Sequence, residues 1–156
     1  MKRNVTSVVF VLALAAGFAA PTRSSSVGAV ALSASAAQSG QLHVTKNCSD
    51  WHGYAGDFCT ITISNLSAIA PNARVYYDQA FGTPTGFLDS DVLLYVGTGD
   101  WAVGHCTLDG STYRGLCTFS DGVGQLAGFS ARVNVSPAGG LDFNWDGTYS
   151  FAPPPR

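Results

Sequence analysis

The chain has 156 residues, with ten Asp, no Glu and four Cys. Once the leader described below is removed, Lys46, Arg74, Arg114, Arg132 and Arg156 face those ten Asp, a net charge of −5. That balance has no electrostatic footprint for nucleic acid. About 120 residues then remain, enough for one core and too few for two domains.

Lys2 and Arg3 followed by the apolar run Val8 to Ala20 predict an export signal, with Ala34-Ser35-Ala36 as the cleavage site before Ala37. A cut after Ala20 would place Pro21 next to the scissile bond. The apolar run falls short of the roughly 20 residues that span a bilayer, so no membrane partner is expected and the location is secreted, extracellular. The predicted organisation is a signal over 1–36, one domain over 37–152 and a tail over 153–156. Pro153, Pro154 and Pro155 of that tail cannot join a sheet.

Gln41 to Asn47 forms a first strand, with Leu42 and Val44 on one face and His43 and Thr45 on the other. Ser49 to Phe58 is a loop closed by Cys48 and Cys59. It concentrates Trp51, His52, Tyr54 and Phe58, and reads either as a ligand-contacting lid or as a plug for one end of the core. Cys59 to Ser64 alternates with period two. Arg74 to Phe81 is the third strand, with Arg74, Tyr76, Asp78 and Ala80 on one face and Val75, Tyr77, Gln79 and Phe81 on the other. Gly82 to Gly86 breaks it. Asp89 to Gly97 is the fourth strand, and the glycines that turn it match no nucleotide loop.

The stretch Gly104 to Ser136 is the most informative. A turn placed between Ser111 and Thr112 sets Cys106 opposite Cys117 and Asp109 opposite Arg114. Thiols, charges and the Asp109-Gly110 turn chemistry thus agree on one register. Four cysteines in an exported chain predict two disulfides. Their equal spacing selects Cys48–Cys59 with Cys106–Cys117. Neither pair has the close Cys-x-x-Cys spacing of zinc sites, so no metal is expected. Past Gly122-Val123-Gly124, Gln125 to Ser136 is a long strand with Ala127, Phe129, Ala131, Val133 and Val135 on one face and Arg132 on the other. Phe143 to Phe151 closes the domain with Phe143, Trp145, Tyr149 and Phe151 on one face. Eight short strands separated by turn signals mean an all-β barrel or sandwich.

Gly104-His105 and the run Phe119-Ser120-Asp121-Gly122-Val123-Gly124-Gln125-Leu126-Ala127-Gly128 resemble the allene oxide cyclase and dirigent-type barrels of the lipocalin-like group. Gly147 to Phe151 is similar to their closing strand, and the resemblance covers about Val92 to the end. It implies an eight-stranded antiparallel barrel, an interior that holds a small hydrophobic or aromatic molecule, and a homotrimer. It also implies a cyclase-like isomerase or dirigent-like activity. Allene oxide cyclases use a buried glutamate near the start of the barrel, and a chain without Glu argues against that reaction itself.

The candidate catalytic residues are Asp78, Tyr76 and Arg132. Candidate ligand contacts are Arg74, Asp91, Trp51, Tyr54 and His105, and no cofactor is expected. Paired carboxylates in an apolar barrel, such as Asp89 and Asp91, would be driven apart in pKa and could act as acid and base. The same residues also read as ordinary surface groups. Arg132 enters the cavity only if the Phe129–Val133 face packs outward. His43, His52 and His105 lie on separate elements, and no Gly-x-Ser-x-Gly turn is present. Three classes therefore stand: a secreted binding barrel, an enzyme acting in its cavity, and a filled barrel whose loops bind a protein or glycan.

Overall fold

A computed structural model describes residues 38–152; the predicted signal and the Pro-rich tail lie outside the described residues. The described chain is all-β. Its strands are β1 (Gln38–Asn47), β2 (Phe58–Ser64), β3 (Arg74–Tyr77), β4 (Phe87–Gly97), β5 (Asp100–Asp109), β6 (Arg114–Val123), β7 (Phe129–Gly139) and β8 (Asp142–Phe151). Each pairs antiparallel with its sequence neighbour, and β1 pairs with β8 to close an eight-stranded barrel. Closure removes the free sheet edges among the described residues. Among the described residues no helix is long and apolar enough to cross a membrane.

The β5–β6 hairpin has the register read from its sequence: Cys106 opposes Cys117 and Asp109 opposes Arg114. Both disulfides form as expected, Cys48–Cys59 and Cys106–Cys117, with Cα atoms 4.2 and 4.1 Å apart. All four cysteines are buried. Such bonds suit an oxidising compartment.

Three elements depart from simple alternation. In β2 the register shifts, because Thr45 pairs with Ile63 while Lys46 pairs with Ile61, leaving Thr62 as the extra residue of a bulge. Ile61 therefore stays inside while Ile63 is 58% exposed. β3 stops at Tyr77 instead of running to Phe81, and Gln79 turns to bond Ser90 and Asp91. β7 begins at Phe129 instead of Gln125. Gly124 and Gly128 adopt positive φ, and Gly124–Leu126 forms a single 3-10 turn.

The inward-facing residues follow strand parity. Leu42, Val44 and Lys46 of β1, Val75 and Tyr77 of β3, and Leu88, Ser90, Val92 and Leu94 of β4 point inside. Phe119, Phe129 and Trp145 form the aromatic centre, with the Phe119 and Trp145 rings 5.1 Å apart. Fully burying one such large side chain contributes about 1.5–3 kcal/mol. One barrel end is closed by Leu66 and Ile69 of the β2–β3 loop and by Leu126, all buried. The opposite end is built by the β1–β2, β3–β4, β5–β6 and β7–β8 connections.

Candidate functional site

The four connections of this second end enclose a bowl of about 510 Å³. Trp51 and His52 enter from the β1–β2 loop, Phe81 from β3–β4, Tyr113 from β5–β6, and Leu141 and Phe143 from the region of the β7–β8 turn. Tyr113 and Leu141 are 50% and 57% exposed, so apolar surface faces solvent at the rim. The Trp51 ring packs edge-on against Phe81 at 5.9 Å and lies 5.9 Å from Tyr77.

Backbone hydrogen bonds hold the loops together. Phe81 N–H donates to the Gly53 carbonyl at 3.0 Å, Gly110 N–H to Gly86 at 2.8 Å and Cys48 N–H to Leu141 at 2.9 Å. The Asp57 carboxylate accepts the backbone N–H groups of His52 at 2.6 Å and Tyr54 at 2.9 Å. Those bonds, Tyr54 first, hold its pKa below the usual carboxylate range. The bowl is thus tied by main-chain contacts between segments far apart in sequence.

Beneath the bowl lies an interior void of about 20 Å³, the room of a single water. Cys48, Trp51 and Phe143 line both spaces, so they form the partition between them. Lys46 and Tyr77 line the void from β1 and β3, and both disulfides flank it. Lys46 is 3% exposed and donates a hydrogen bond from Nζ to the Tyr77 hydroxyl. That hydroxyl lies 3.8 Å from Cys59 Sγ. Lys46 Nζ also sits 4.9 Å from the Trp145 ring centre and 5.1 Å from that of Tyr77.

Among the described residues no carboxylate pairs with Lys46. Burial without a counter-charge penalises the ammonium and lowers its pKa to about 7. Burial likewise raises the pKa of Tyr77, which stays protonated. The Trp51 Nε1–H is buried without a hydrogen-bond partner. The void beneath the bowl is therefore bordered by hydrogen-bond donors, with an amine poised between its two protonation states.

The residues singled out from sequence are divided between this end and the outer wall. Trp51 lines the bowl, while Tyr54 in the same loop is 69% exposed and absent from its lining. Asp78, Asp91 and His105 come together on the outer wall, around an open groove of about 620 Å³. There the His105 ring bridges two carboxylates, Nδ1 to Asp91 at 3.0 Å and Nε2 to Asp89 at 2.7 Å. The bond to Asp91, then that to Asp89, raises its pKa. Tyr76 packs outside against Phe58, 5.3 Å between ring centres, and accepts a bond from Arg74 at 3.3 Å. Arg74 lies over the Phe58 ring at 4.5 Å. Arg132 is exposed, because Ala131 and Val133 take the interior. Asp78, Tyr76 and Arg132 thus occupy the outer surface and do not line the barrel interior.

Sequence reasoning passed over Lys46, Tyr77, Phe81, Tyr113 and Phe143 as site residues. A usable signal existed for Lys46: it shares the parity of Leu42 and Val44, and it is the only lysine beyond Lys2. Comparison of the chain with protein-family models, curated proteins and solved structures finds no match.

Proposed function

We propose that the protein is a binding barrel that takes a small apolar or aromatic molecule at its open end. The observation that carries this reading is the bowl of about 510 Å³ walled by Trp51, Phe81, Tyr113 and Phe143. Its size lies within the range of about 300–1,000 Å³ typical of ligand sites, and barrel mouths are a common place for them. The ties between loops support a site formed before the ligand arrives, which lowers the entropy lost on binding. The void of about 20 Å³ has no room for an organic molecule between the strands, so the ligand belongs at the mouth. Kinship with the allene oxide cyclase and dirigent barrels is retained as part of the proposal, for the architecture alone. Export to an oxidising space is a second part of it, supported by the two disulfides.

Titration with naphthalenemethanol, followed through tryptophan fluorescence, tests the reading. Trp51 is the reporter within the bowl. Saturable quenching that weakens at least about tenfold when Leu141→Asp places a charge on the apolar rim supports it. Quenching that does not saturate, or is indifferent to that change, refutes it.

A further inference from the structure

We infer that Lys46 is a covalent attachment point: its amine forms a reversible imine with a ligand that carries an aldehyde or ketone. This rests on the mouth-binding reading and adds the chemical class of the ligand. Three observations converge on it. Lys46 is the sole lysine of the domain, and it is spent in the interior instead of at the surface, where lysines ordinarily lie. Its amine has no carboxylate partner among the described residues, so no anion holds it charged. It borders a void that shares Cys48, Trp51 and Phe143 with the bowl and has room for a carbonyl group alone, so the body of the ligand stays in the bowl and only its carbonyl reaches the amine.

The chemistry balances without an oxidant or reductant. The lone pair of neutral Nζ attacks the carbonyl carbon, and the C=O π pair moves to oxygen, which takes up a proton as nitrogen releases one. The resulting carbinolamine then loses its hydroxyl. The Tyr77 hydroxyl, already bonded to Nζ, gives a proton to the departing oxygen, and the nitrogen pair closes the C=N bond. Nitrogen returns its remaining proton to the tyrosinate. One water leaves, and the void has the volume of one water. A desolvated lysine is the usual source of such a nucleophile. Burial keeps Tyr77 protonated at neutral pH, so that proton is in place beside Nζ.

The experiment incubates the full exported protein with naphthaldehyde and sodium cyanoborohydride, followed by intact mass and peptide mapping. The expected result is one reduced adduct, on the peptide containing Lys46, absent in Lys46→Met and formed about a hundredfold more slowly in Tyr77→Phe. Mapping locates the adduct in the wild-type chain, so the outcome does not hang on the variants folding. Labelling confined to the amino terminus, while naphthalenemethanol still binds saturably, overturns the imine and leaves mouth binding intact. Failure of both naphthalenemethanol and naphthaldehyde to associate overturns the binding reading and the imine with it.

Discussion

Replacing Lys46 with Met should stabilise the barrel at neutral pH. An exposed lysine holds its proton to about pH 10.4, whereas burial brings Lys46 to about 7. A gap of about 3.5 units at about 1.4 kcal/mol per unit makes the buried amine cost on the order of 5 kcal/mol. The sign follows from proton counts. Below about pH 7 both states hold the proton, and the penalty is present in full. Between about 7 and 10 the unfolded chain binds more protons, so wild-type stability rises with pH by up to about 1.4 kcal/mol per unit. Tyr77 acts outside this window: its folded pKa is raised, so its contribution is present below about pH 10 and is lost only above. Met keeps the length of the stem but leaves the Tyr77 hydroxyl without its partner, at a cost of about 1–3 kcal/mol. The variant should therefore be about 2–4 kcal/mol more stable at or below pH 7 and should lose that advantage near pH 10. Urea unfolding of both proteins with disulfides intact, in steps from about pH 6 to pH 10, measures it. Taking the difference at each pH cancels the other titrating groups. A difference that stays flat with pH, or a variant less stable at about pH 6, would refute the reasoning.

Cys106→Ser opens a disulfide buried in the barrel wall and should cost about 2–5 kcal/mol; an unchanged melting temperature counts against it. Gly104→Ala should destabilise by about 1–3 kcal/mol, because its Cβ would collide with the Thr118 carbonyl and come 2.6 Å from the Phe119 ring. Equal urea midpoints for variant and parent would show that β5 and β6 can spread. The two carboxylates on His105 stabilise its protonated form, so that contribution is present below about pH 6.5 and fades as pH rises through the folded pKa. Asp91→Asn should shift the His105 NMR titration to lower pH, and a titration left in place assigns the raised pKa to another cause.

Local chemistry made part of this protein legible. The hairpin register needed only turn residues, two thiols and a charge pair within about a dozen positions, and all are near neighbours in space. The two faces of β7 were equally plain, Phe129, Ala131, Val133 and Val135 against Ser130, Arg132 and Asn134. Which of them turns inward stayed open, with Arg132 a cavity candidate, until barrel closure put Ala131 and Val133 inside. In β3 the same logic was mute. Tyr76 and Tyr77 give both faces an aromatic hydroxyl, and only pairing with β2 and β4 sends Tyr77 inward. The bulge at Thr62 was hidden as well, because Cys59 to Ser64 reads as unbroken alternation.

By itself, then, the sequence determined eight strands, two disulfides and the two faces of most strands, because period-two alternation and short-range pairing are local properties, while the choice of inward face was not. Only the tertiary structure decided where chemistry sits. The bowl draws residues from Trp51, Phe81, Tyr113 and Phe143, separated by up to 92 positions and brought together only when the barrel closes. Lys46 looked like one more polar residue of a first strand. Its pKa, its tyrosine partner and its place beneath the bowl exist because β1 is closed against β2 and β8, which takes the amine out of water.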